Sequence, residues 1–226
     1  VFTRSLFAGP SVVLSRVNAE SGHARGVVVV AKNANVATGE QGMANAREVL
    51  DRAAASVDVP PADLLIASTG VIGRQYPMDL LRTHLDGLAG AGFTADARAV
   101  ASAIMTTDTH PKTAVREVTT TTGSVARIVG VAKGVGMIEP DMATMIAVIL
   151  TDAAVEPGVL DAAFKGAVDD TFNCLSVDTD TSTSDTAIAL ASGVAGEVAE
   201  AELREALEAV CLDLTRQLAR DGEGAT

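Results

Sequence analysis

Apolar positions along the chain fall into two periods. Short β-branched or aliphatic runs at residues 11–14, 26–31, 63–67, 145–150 and 186–191 predict buried strands. Between them, apolar residues recur at i, i+3 and i+4. Ala46, Val49, Leu50, Ala53, Ala54 and Val57 predict a helix over 41–57, which Pro60-Pro61 terminates. Met78, Leu81, Leu85 and Leu88 predict a second over 77–88, and Thr94 is positioned to cap a third over 95–104. Two more helices follow at 158–171 and 199–218, the latter with Leu203, Leu207, Val210, Leu214 and Leu218 on one face. Residues 114–131 form the pattern of a β-hairpin turning at Thr122-Gly123, and 175–177 that of a short strand. Asn33, Asn35 and Gly39 mark a loop. Strands and helices mixed in this way predict a layered α/β or α+β fold.

Composition narrows the picture. With 226 residues the chain can bury a substantial core, and 48% hydrophobic residues exclude a disordered chain. Aromatics are only 3% and Trp is absent, so Ala, Val, Leu and Ile must build that core. A net charge of -12 argues against nucleic-acid binding, which needs a basic footprint. Cys174 and Cys211 sit in apolar surroundings, the pattern of buried reduced thiols. No apolar run approaches the roughly 18 residues of a membrane span and no signal peptide is visible, so a cytoplasmic location is expected.

Several chemistries drop out. His23, His84 and His110 lack metal-ligand spacing, and no metal is expected. Gly134-Val135-Gly136 opens like a dinucleotide loop, but Glu139 stands where the third glycine belongs, and no cofactor is expected. Asp178, Asp180 and Ser182 have the spacing of a calcium loop. Thr183 replaces its glycine, however, and Ala189 its bidentate glutamate.

The candidate chemistry centres on residues 130–152. Lys133-Gly134-Val135-Gly136 is a flexible cationic turn, Glu139-Pro140-Asp141 a rigid acidic one, and Met142-Ala143-Thr144 leads into an apolar run. A hydroxyl thus stands where a loop meets a buried strand. Thr becomes a nucleophile when a base is adjacent, and cleavage just before it makes its own α-amine that base. The plainer alternative is a Thr that starts a strand. Four other places carry polar groups of comparable interest. Strand 63–67 runs into Ser68-Thr69-Gly70, whose backbone N–H groups suit an oxyanion or merely a turn. Thr106-Thr107-Asp108 suits ligand recognition or loop hydrogen bonding. Lys133 is a cation in the central loop or a solvated charge, and Glu223 between two glycines is a ligand or a solvated turn.

KGVGMIEPDMATM (133–145) resembles the processing site of the ornithine acetyltransferases, the two-activity glutamate/ornithine N-acetyltransferases of cyclic arginine biosynthesis. LLIASTGVIG (64–73), AIMTTDT (103–109), DTDTSTSDTA (178–187) and DGEGAT (221–226) match too, in family order, so the likeness covers essentially the whole chain. Thr179 and Ser184 depart from the Gly and Asn that many members carry there. The resemblance implies a sheet–helix sandwich like that of the self-processing aminopeptidases. It implies autocatalytic cleavage between Ala143 and Thr144, giving an α-chain region 1–143 and a β-chain region that begins at 144. Acetyl would then pass through Thr144 from N2-acetylornithine to glutamate. By the same likeness Thr69 and Gly70 form the oxyanion hole, and Thr107, Lys133, Thr144 and Glu223 bind substrate. The processed full-length enzyme is expected to be a heterotetramer of two α- and two β-chains, in which acetyl-CoA is a further candidate donor. Family members extend beyond Val1 and Thr226, so an internal fragment is expected, with the β-chain region truncated at its C-terminus and the fragment poorly soluble and inactive by itself. The alternatives are a paralogous acetyltransferase of an actinomycete antibiotic pathway, a related self-processing aminopeptidase or amidase, and an inactive truncated relative.

Overall fold

The computed structural model describes residues 1–89, 91–135, 145–176 and 182–221. Two sheets lie face to face between helices. The smaller pairs β1 (Gly26–Val30) with β2 (Leu64–Ser68) in parallel, the connection running through helix α2 (Gly39–Ser56). The larger holds β3 (Lys112–Thr119), β4 (Val125–Lys133), β5 (Ile146–Ala154) and β6 (Thr186–Glu197) in that order. Its first two junctions are antiparallel, and β5 and β6 run parallel across helix α5 (Pro157–Asp170).

The period-2 alternation of each strand sorts its side chains between layers. Val28, Val30, Leu64 and Ile66 face outward onto α2 and onto Leu85 of α3 (Met78–Asp86). Their neighbours Val27, Val29 and Ala67 turn the other way. There they meet Val131, Ile146 and Val148 of the large sheet, with Ala101 of α4 (Ala97–Ala103) at the same seam. The far face of the large sheet carries Ile128, Ala132, Ala147 and Ile149 under α5 and α6 (Glu200–Arg220). The layer order is therefore helix, sheet, sheet, helix, the predicted layered α+β sandwich. The close seat of α6 depends on Gly130, where a Cβ would lie 2.7 Å from Val210 Cγ1 and 2.8 Å from Leu214 Cδ1.

Most predicted elements recur with shifted ends, and four expectations are corrected. Residues 11–14 lie in helix α1 (Pro10–Ala19), not in a strand. A four-residue apolar run cannot separate the two by period, and Pro10 in the first turn favours the helix. α1 is bound to β2 through Ser15, whose Oγ donates to the Ile66 carbonyl at 2.7 Å. The cap of α4 is Asp96 rather than Thr94, its carboxylate accepting from the N–H groups of Arg98 and Ala99 at 3.0 Å. Leu175 and Ser176 are not strand but follow a 3₁₀ turn, Phe172–Cys174. Cys174, on that turn, is exposed. Cys211 alone is a buried thiol, and burial pushes it up to about 12.

Candidate active site

The ends of six strands converge at one end of the sandwich. β1 and β2 finish there, β4 finishes there, and β3, β5 and β6 begin there. Thr69 follows the last residue of β2 and has the parity of Ala67, while Lys133 closes β4 with the parity of Val131. Alternation therefore sends both side chains into the space between the sheets. Both are 2% exposed, and the Lys133 ammonium donates to Thr69 Oγ1 at 3.3 Å.

Gly70 is fixed by its backbone. Its φ is +127, and a Cβ would fall 2.2 Å from the Lys32 carbonyl carbon and 2.6 Å from Asn33 N. Only glycine fits so close to another backbone in that conformation. The loop after β1 holds the turn from the other side: Val71 N–H donates to the Lys32 carbonyl at 3.2 Å and Ala34 N–H to the Val71 carbonyl at 3.0 Å. Three non-glycine residues of that loop, Lys32, Asn35 and Ala37, have positive φ. Strained backbone of this kind concentrates at functional sites.

A buried charge cluster ties the remaining motifs together. Thr107 is exposed in the turn just before Asp108, whose carboxylate is buried. Asp108 Oδ1 accepts from Lys112 Nζ at 2.8 Å and from Gly134 N–H at 2.7 Å, and its Oδ2 accepts from Thr106 N–H at 3.0 Å. Lys112, the first residue of β3, also donates to Asp221 Oδ2 at 2.5 Å. Asp221 caps the end of α6 and takes the N–H and hydroxyl of Thr109. Lys133 Nζ completes the chain of charges 3.8 Å from Asp108 Oδ2. Thus Asp108 (the neighbour of Thr107), the Lys133 turn and Asp221 are held by one ionic network.

The charges act on one another. Burial pulls the Lys133 ammonium below the ordinary lysine range and Lys112 adds to this, while Asp108 and Asp185 oppose them. Burial would raise the Asp108 and Asp221 carboxyls, but Lys112 and the N–H donors outweigh it and both end below the ordinary value. Asp185 goes the other way, burial raising its carboxyl well above the usual range.

Of the sequence-predicted residues, Thr69, Gly70, Thr107 and Lys133 fall at this end of the sandwich. Ala143, Thr144 and Glu223 lie outside the described residues. Asp185 lay unremarked inside the DTDTSTSDTA match, and Asp221 opens the DGEGAT match. Lys112 carried no signal, because a lone lysine after Pro111 reads as surface. Among the described residues no group of His, Cys, Asp and Glu could hold a metal ion, and no helix is long and apolar enough to cross a membrane.

A family profile described as the ArgJ family matches residues 1–226. The chain belongs to the ArgJ family. It is 57% identical over 226 residues to the arginine biosynthesis bifunctional protein ArgJ of Rhodococcoides fascians, with all of this chain and 55% of that protein covered. It is 54% identical over 225 residues to the glutamate N-acetyltransferase Oat2 of Streptomyces clavuligerus, covering 100% of this chain and 56% of that one. The chain thus spans little more than half the length of these relatives. Among solved structures, ArgJ of Bacillus halodurans superposes with a TM-score of 0.55 at 29% identity over 63% of this chain and 74% of that one. Ornithine acetyltransferase of Mycobacterium tuberculosis, solved with ornithine, gives 0.51 at 29% identity over 62% and 74%. These likenesses agree with the layered α+β fold of this chain.

Proposed function

We propose that the protein transfers acetyl from N2-acetylornithine to glutamate through an acetyl-Thr144 intermediate, after cutting itself between Ala143 and Thr144. The regions 1–143 and 144–226 are then the α-chain and the start of the β-chain. Thr144 Oγ bonds to the acetyl carbon as its proton passes to the Thr144 α-amine. The acetyl–nitrogen bond breaks and ornithine leaves with that proton. Glutamate's amine then attacks the ester, and Thr144 Oγ recovers a proton as it departs. Thr69 and Gly70 bind the oxyanion, and Thr107, Lys133 and Glu223 hold substrate. The processed protein is a cytoplasmic heterotetramer, and acetyl-CoA is tested as a second donor in the same assay.

The observation that carries this is the buried contact of Lys133 with Thr69, 3.3 Å apart at the end of the sandwich where β5 begins. Thr144 stands two positions before Ile146, a residue β5 turns toward the same inter-sheet space. A buried hydroxyl beside a buried cation, in a space shielded from water, suits the charge that develops in acyl transfer. The names of the relatives, a glutamate N-acetyltransferase among them, fit the same chemistry.

The test uses the full-length protein. Wild type should run as two bands on denaturing gels and Thr144→Ala as one, and only wild type should exchange acetyl between N-acetylornithine and labelled glutamate. A wild-type chain that stays intact through prolonged incubation overturns the proposal. Hydrolysis without transfer to glutamate would instead identify an amidase.

A further inference from the structure

The exposed segment 70–75 leads away from the end of β2, and Tyr76 is the first buried side chain after it. The Tyr76 ring belongs to the outer core with Leu50 of α2, Ile66 of β2 and Leu85 of α3. Its hydroxyl meets Oγ of Ser68, the last residue of β2, across the base of the segment. The Asn35 side chain hydrogen-bonds to the same hydroxyl. Asn35 is itself fully buried, at φ +52. Its amide donates to the Gly42 carbonyl at 2.8 Å, and its Oδ1 accepts from Thr38 Oγ1 at 3.1 Å. Gln75 ties the two loops from the exposed side: its Nε2 donates to the Thr38 carbonyl at 2.7 Å, and its carbonyl accepts from Asn33 Nδ2 at 2.9 Å. Packing alone does not call for the Tyr76 hydroxyl. Phenylalanine would fill the same space without needing buried polar partners.

Ser68 has the parity of Ile66, so its side chain lies on the outer face of β2, opposite that of Thr69. In an extended chain the two directions are coupled. Fixing the Ser68 hydroxyl on the outer side fixes Thr69 Oγ1 on the inner side, where Lys133 donates to it. It also limits rotation of the next peptide, which carries the Gly70 N–H. We propose that Tyr76 is a positioning residue for the oxyanion donors: its hydroxyl, held by Asn35, clamps Ser68 and so aims Thr69 Oγ1 and the Gly70 N–H. This rests on the roles of Thr69 and Gly70 in the proposed acyl transfer. Those donors must meet an oxygen that becomes anionic as the acyl carbon turns tetrahedral, and a misplacement of about 1 Å costs on the order of 100-fold in rate. Burial pushes the Tyr76 hydroxyl up to about 12, so it stays neutral through the physiological range and acts by geometry rather than by proton transfer.

The experiment uses the full-length, self-processed protein. Tyr76→Phe keeps the ring and removes only the hydroxyl. It should lower kcat about 10- to 100-fold, change KM less than about twofold and leave the pH–rate profile in place. Ser68→Ala should do the same, and it decides the matter if Tyr76→Phe fails to fold or to cleave. The double variant leaves neither hydroxyl facing a missing partner. Its urea midpoint should therefore recover part of what Tyr76→Phe loses, while kcat stays low. In a Thr69→Val background one donor is already gone, and there Tyr76→Phe should cost no more than about threefold. Wild-type kcat in Tyr76→Phe would overturn the assignment, as would a raised KM with unchanged kcat or a displaced pH profile. So would a kcat that recovers with stability in the double variant, or a loss as large without Thr69 as with it. A wild-type enzyme that neither cleaves nor transfers would sink the proposed function itself. A wild type that does both beside an indifferent Tyr76→Phe removes only the role of Tyr76.

Discussion

Lys112→Met isolates the buried ionic network. The side chains of Lys112 and Asp108 are fully buried and that of Asp221 is 2% exposed. Lys112 Nζ is shared between them at 2.8 and 2.5 Å. Methionine fills a similar volume and supplies no charge, so the variant leaves two carboxylates facing each other without their common cation. Removing one partner of a buried pair costs about 3–5 kcal/mol. The low end applies here. Lys133 remains 3.8 Å from Asp108, and the N–H groups of Gly134, Thr106 and Thr109 still donate. For a chain of this size about 3 kcal/mol lowers Tm by roughly 6–12 °C. The pH dependence carries the sign. In wild type the folded carboxyls lie below their unfolded value of 3.8, so their stabilisation is complete above that pH and fades as pH falls through the lowered values. Without Lys112, only Lys133 and the N–H donors still oppose burial, and the same carboxyls rise. Protonation then relieves the unpaired charge, so the Tm gap between wild type and variant should narrow from pH 7 to about pH 4.5. Thermal melts by circular dichroism at both values suffice. A Lys112→Met chain that melts with wild type at pH 7, or a gap that widens in acid, would refute the network's role in stability.

Two further outcomes follow from the same geometry. Gly70→Ala must place a Cβ 2.2 Å from a backbone carbon at φ +127, so the turn moves. Strain and overpacking together amount to about 2–6 kcal/mol, read as a lowered urea midpoint, and an unchanged midpoint would contradict the close approach to Lys32. Under the proposed cleavage the nucleophile's base is an α-amine of ordinary pKa about 7.7–8.0, and Lys133→Met would remove a cation that favours its neutral form, so the rising limb of the full-length protein's pH–rate profile should move up. An unmoved limb would leave Lys133 with substrate binding alone.

Much of the fold was legible because its elements are long and periodic. α2 and α6 carry apolar residues at helical spacing for several turns, and β3 and β4 flank a polar turn of the expected kind. Errors fell where the window was short. Residues 11–14 contain two valines and a leucine, which favour a strand by propensity, but the hydroxyl of Ser15 binds both backbone groups of Ile66 and the segment is helical. Thr94 and Asp96 are both good caps, and sequence alone does not say which of them stands at the first turn. Cys174 has Phe172 and Leu175 as neighbours, yet a 3₁₀ turn rotates it into solvent.

The site was legible for a different reason. Thr69, Gly70 and Lys133 were found through the words around them, and their roles came from likeness rather than from physics. What no local pattern contained was the convergence itself. Lys112 reaches Asp221 across 109 positions and Lys133 reaches Thr69 across 64. Both contacts depend on register: β3 pairs Lys112 with Ala132, and β4 pairs Lys133 with Ile146. A one-residue slip in either strand would turn its lysine to the opposite face, Lys112 away from α6 or Lys133 away from Thr69. The register is set by the apolar alternation farther along the same strands, Ala114 and Val118 in β3, Ile128 and Val131 in β4. The hydrophobic pattern that looks like mere core-building thus aims two buried cations at one end of the sandwich. That dependence places the candidate site at the strand ends, where backbone N–H groups leave the ladder and the inter-sheet space opens.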